Sequence, residues 1–154
     1  MWEGDGEDQV FVASVDRAMP LWQLIEAGRY RVVDADIKDE RFRLPGDGVR
    51  TLFFEIMSLG ALPDGDAALG AVAAAGFRPA TFAETLAVAA RYPLEPSEGI
   101  LAALGSVWTH DRIAPPRRYV GVVHAFGGKR HLDLHPLCFP WKEGHKALVT
   151  KADA

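Results

Sequence analysis

Residues 117 to 136 read RRYVGVVHAFGGKRHLDLHP. Two runs rich in β-forming residues flank Gly127-Gly128, and paired glycines in a two-residue turn supply the positive φ that a tight hairpin needs. The stretch therefore reads as two antiparallel strands in which Phe126 faces Lys129, His124 faces His131 and Val122 faces Asp133. His124, His131, Asp133 and His135 then share one side of the ribbon, while Leu132 and Leu134 take the other.

Two chemistries compete for that polar face. Neutral imidazoles and a carboxylate on adjacent strands bind zinc when their donors converge to about 2.0–2.2 Å. Strand positions two apart are too widely spaced for most tetrahedral sites without a third element. The favoured reading of His124, His131, Asp133 and His135 is thus the wet face of a half-buried hairpin, with no cofactor. A metal-dependent hydrolase is the alternative.

The segments GILAALGSVW and HKALVTK on either side also read as strands, so the chain after residue 100 is β-rich. Before it lie two helical stretches. PDGDAALGAVAAAG has aspartates at its start, Gly76 at its end, and Leu69, Val72 and Ala73 at helical spacing. Four residues later, TFAETLAVAARYP opens with Thr81 and Glu84 as a capping box and is ended by Pro93. Further upstream, VRTLFFEIMSLG sets Leu52, Phe54 and Ile56 against Thr51, Phe53, Glu55 and Met57, the pattern of a central strand covered on both faces. QVFVASV and MPLWQLIEAG form an N-terminal strand and short helix, and DADIKDERFRLPGDGV is an acidic loop. The expected fold class is α+β: two adjacent helices packed on a mainly antiparallel sheet, with an N-terminal strand-helix extension.

Composition sets the class. A chain of 154 residues, 49% hydrophobic and 25% charged, suits one domain with its own core. The domain is placed at 9–154, behind an acidic, flexible stretch at 1–8. Cys138 is the single cysteine, which excludes an intrachain disulfide and favours a reducing compartment. Between Leu137 and Phe139 it reads as a small buried hydrophobe. The start, MWEGDGEDQV, lacks the basic and apolar regions of a secretory signal, and no apolar run approaches bilayer length, so the expectation is a cytoplasmic protein with no membrane partner. Asp34, Asp36, Asp39 and Glu40 lack the glycine and terminal glutamate of a regular calcium loop and read as a solvated acidic loop. No Walker loop and no G-x-S-x-G elbow is present, so no catalytic residues are assigned.

The net charge of −4 hides an asymmetry: residues 1–48 carry eleven acids and six bases, residues 109–154 four acids and eight bases. Nucleic-acid binding through the basic C-terminal third is therefore a further alternative. The bases are scattered rather than massed on one helix, so it is not favoured.

The stretch FRPATFAETLAVAA keeps Arg78, Thr81 and Glu84 at the spacing of the R-L-P-T-x-x-E-W segment that opens the second helix in the formylglycine-generating-enzyme branch of the C-type-lectin-like fold, which this chain resembles. The proline is displaced, and Thr85 stands where that branch has tryptophan. AGRYRVVDADI, LGSVW and RHLDL also resemble segments of an uncharacterised bacterial protein family. The resemblance implies the fold without the activities. The oxidase of that branch uses two cysteines and copper, and calcium-dependent sugar binding in such lectins uses motifs containing asparagine, which this chain lacks entirely.

The leading functional expectation is accordingly a noncatalytic recognition domain for an unknown protein or small ligand. Loops 109–117 and 136–145 would present Trp108, His110, Arg112, Phe139 and Trp141, since aromatic and arginine anchors are what binding surfaces favour. For each tryptophan, a place in the core is the competing role.

Overall fold

The computed structural model describes residues 10–42, 48–92 and 100–152. Among them the chain runs β1 (Val10–Asp16), α1 (Leu21–Ala27), β2 (Val32–Val33), a 3₁₀ turn (Asp39–Arg41), β3 (Val49–Ser58), α2 (Gly65–Ala74), β4 (Phe77–Pro79), α3 (Phe82–Arg91), β5 (Leu101–His110), β6 (Arg117–Phe126), β7 (Lys129–Pro136) and β8 (Lys146–Lys151). The expected acidic stretch 1–8 and the helix stop at Pro93 lie outside the described residues.

One sheet, ordered β1-β3-β8-β5-β6-β7-β2 with β4 beside β8, forms the frame. Its neighbours are antiparallel except β5–β8 and β2–β7. The β6–β7 hairpin has the register expected from its turn: His124 opposite His131, Val122 opposite Asp133 and Phe126 opposite Lys129. Gly127 and Gly128 hold φ of 61° and 76°, the left-handed region that glycine enters without steric cost.

Strand alternation divides the interior into two clusters on opposite sheet faces. Leu52, Phe54, Leu101, Ala103, Leu132 and Leu148 face α1 and α3, where Leu21, Leu24, Phe82 and Leu86 meet them. Ala102, Leu104, Val120, Val122 and Val149 face Ala68 and Val72 of α2 together with Leu137 and Trp141. The two helices that are consecutive in sequence, α2 and α3, therefore lie on opposite faces, and α3 packs instead beside α1. This corrects the expectation of an adjacent pair. The cause is β4, too short and proline-bearing to show alternation, which pairs with β8 and carries the chain from one face of the sheet to the other.

The crossing is fixed by a bulge. The β5–β6 register slips between Ala103 and Val107, and there the Gly105 amide donates to the Ala80 carbonyl at 2.8 Å, while Ser106 Oγ accepts from the Phe82 amide at 2.8 Å. A Cβ on Gly105 would sit 2.6 Å from the carbonyl oxygens of Pro79 and Ala80, so only glycine permits this approach. α3 then opens with the expected capping box. Thr81 Oγ1 accepts from the Glu84 amide at 3.1 Å, and Glu84 Oε1 accepts from the Thr81 amide at 2.9 Å. Both Glu84 oxygens also take the Arg78 guanidinium at 2.9 Å.

β3 is covered on one face only over its first half. Leu52 and Phe54 are buried, but Phe53 is 62% and Val49 67% exposed, because α2 reaches only the far end of the strand near Met57. No helix among the described residues is long and apolar enough to cross a membrane.

Candidate functional site

The expected recognition residues separate into two places. Trp108 and His110 alternate along the end of β5 on the α1/α3 side, and their rings stack at 5.0 Å and 17°. Tyr119, opposite Trp108 on β6, adds a second ring at 5.5 Å and 27°. Over the indole lies the Arg41 guanidinium, 4.0 Å from the ring centroid, a cation–π contact between the 3₁₀ turn and the sheet. Arg41 is aimed by the Asp36 carbonyl and carboxylate at 3.0 and 3.3 Å. The turn is held in turn by Asp39, whose carboxylate accepts from the Leu21 amide at the start of α1 at 2.5 Å.

These elements enclose an open cleft of about 370 Å³. Trp108 forms its apolar floor, Lys38, Arg41 and Arg112 supply positive charge, and Glu40 and Asp111 supply negative charge. Arg112, on the β5–β6 connection, is exposed. Trp108, His110 and Arg112 are thus brought together at one cleft. Arg41, Lys38 and Tyr119 complete the site, although nothing local in the sequence connects the acidic loop to Trp108. The loop itself differs from a merely solvated run, since Asp39 works as the anchor just described.

Phe139 and Trp141 do not join this cleft. Trp141 is 2% exposed and belongs to the α2-side core, with its backbone bridged to Leu62. The expectation that it is presented on a loop is corrected: its indole closes the end of the sheet against His135, stacked at 4.3 Å, and His145, edge-on at 5.7 Å. Phe139 is 47% exposed, with its ring set near-perpendicular to that of His135. Cys138, expected to be buried, is exposed beside it. Burial, and then the neighbouring His145, pushes the His135 imidazole below its usual range; burial followed by Lys142 does the same to His145.

The polar hairpin face also divides. His124 Nε2 and the Asp133 carboxylate are in direct hydrogen-bond contact, and the His131 ring lies 5.2 Å from that of His124. His135 is drawn away to Trp141. Among the described residues, no group of three or more His, Cys, Asp or Glu side chains is placed to hold a metal ion. His135 therefore stands apart from the other three residues of that face.

Comparison of the chain with protein-family models, with curated proteins and with solved structures gave no match.

Proposed function

We propose that this protein is a noncatalytic recognition domain whose ligand, a peptide segment or small molecule carrying both an aromatic or cationic group and an acidic one, docks in the Trp108 cleft. The observation that carries this reading is the braced indole: Trp108 is held by His110, Tyr119 and Arg41 from three elements, beside charged groups of both signs. Rigid aromatic surface with arginine neighbours is the usual energetic centre of a binding site.

We further read the architecture as C-type-lectin-like. Its support is the Arg78–Thr81–Glu84 unit at the start of α3 and the mainly antiparallel sheet joined by long connections. The lone, exposed Cys138 supports a reducing, cytoplasmic setting.

A displayed library of random peptides selected on the native protein tests the function. Peptides retained by the native protein should lose at least about tenfold in affinity against His110→Ala/Arg112→Ala, and should shift the Trp108 indole resonance. Selected peptides that bind both proteins equally would place recognition elsewhere and refute the assignment.

A further inference from the structure

A second cleft, of about 500 Å³, opens where the C-terminal ends of α1 and α3 meet the β6–β7 turn. Among the described residues that line it, nine in all, four are cationic, Arg29, Arg91, Lys129 and Arg130, and none is acidic. This is the reverse of the molecule's net charge of −4.

Part of that charge is structural. Arg130 donates to the carbonyls of Gly28 at 2.9 Å, Ala89 at 2.5 Å and Tyr92 at 3.0 Å, so one guanidinium ties down the last carbonyls of both helices. Arg91 reaches back to the Val12 carbonyl at 2.8 Å. Helix termination accounts for these two, because cations complement the negative end of a helix dipole. It does not account for Arg29 or Lys129. Arg29 follows the Gly28 cap with φ of 55°, the one described non-glycine residue in the left-handed region. Glycine is the unstrained choice there, so an arginine is held against backbone preference, with its exposed side chain at the cleft. Lys129 sits directly after the Gly127-Gly128 turn, also exposed, on the opposite wall.

We infer that this basic cleft binds a small phosphate-bearing anion, with Arg29 and Lys129 as the ligand-contacting cations and Arg130 as the positioning residue that fixes the two helix ends around it. Its volume suits a small ligand. A single-stranded nucleic acid would need exposed stacking surfaces, and the one aromatic residue among the described lining residues, Tyr92, is engaged edge-on with Phe11 at 5.0 Å.

The test is calorimetric titration of the full chain with pyrophosphate at about 20 mM salt, where charge attraction is weakly screened. Saturable binding at one site is expected, and raising the salt about tenfold should weaken it steeply. Lys129→Gln and Arg29→Gly should each reduce the affinity by about fivefold or more. Arg29→Gly should do so while the melting temperature holds or rises, because glycine relieves the positive φ; a loss of binding through misfolding would instead lower it. Absence of saturable heat, equal affinity in both variants, or binding of a ten-base oligothymidylate (about ten nucleotides, within a usual single-strand site size) in preference to pyrophosphate would overturn the assignment. Neither variant touches the Trp108 cleft, so failure here leaves the recognition reading standing.

Discussion

Replacing Glu84 by Ala should be among the most damaging single changes in this fold. Its side chain is 5% exposed, and its two oxygens accept from both terminal nitrogens of Arg78 and from the Thr81 amide. Truncation would strand a guanidinium that is itself only 27% exposed and would release one half of the α3 cap. Breaking a buried pair from one side costs about 3–5 kcal/mol, a large share of the roughly 5–15 kcal/mol by which a domain is stable. With a urea dependence of about 1–3 kcal/mol per molar, the denaturation midpoint should fall by on the order of 2 M. The effect should depend on pH. Burial works to raise the Glu84 carboxyl, but the Arg78 bonds, the Thr81 amide and the Arg78 charge outweigh it and hold the group below its ordinary 4.5. A depressed folded-state value means the contribution is complete above about pH 4.5 and is lost as pH falls through the folded value. The gap between native and Glu84→Ala midpoints should therefore be widest near neutrality and close in acid. A loss below about 1 kcal/mol at pH 7, or a gap that widens on acidification, would refute the ion-pair account.

Gly105→Ala should lower stability by about 2–3 kcal/mol in thermal melts, because the new methyl would meet two backbone carbonyls that no rotamer change can move; an unchanged melting temperature would show that the bulge is not held by Ala80. His135 and His145 both have depressed folded-state values, so the unfolded chain takes up more protons between those values and about pH 6.5, and stability should fall as pH is lowered through that window. Chemical denaturation across pH 5 to 8 of the native protein and of His135→Asn/His145→Asn checks this, and an equally steep fall in the double variant would assign the slope to other groups.

Where structure is local, the sequence was informative to the residue. Gly127-Gly128 fixes the β6–β7 register because a two-residue turn leaves no freedom in pairing, and Thr81 with Glu84 fixes the start of α3 because both halves of the cap lie within one turn. Where structure depends on distant segments, it was not. Phe53 alternates as a covered residue would, but whether a helix reaches that part of the sheet depends on where α2 docks. β4 is three residues long, below the length at which alternation can be recognised, and with it went the placement of α2 and α3 on opposite faces. Within the candidate site, Trp108, His110 and Arg112 were legible as neighbours in sequence, whereas Arg41 and Tyr119 reach the indole only through the tertiary fold. Trp141 shows the opposite failure, since an aromatic residue in a loop carries no mark of whether it turns inward.

The position of β8 bears on how the chain is made. It is hydrogen-bonded to β3, β4 and β5, and in the sheet order it alone joins the β1–β3 pair to the β5–β6–β7–β2 group. A ribosome delivers the seven other described strands before this one. Until residues 146–151 emerge, the nascent chain can hold a hairpin meander and a separate strand pair, each with an open edge bordering the gap that β8 will fill. Closing that gap requires contacts across most of the chain length, the kind that slows folding and leaves edges open to wrong partners. The sheet is thus completed from its middle, and until β8 pairs, the β3 and β5 edges that it covers stay open.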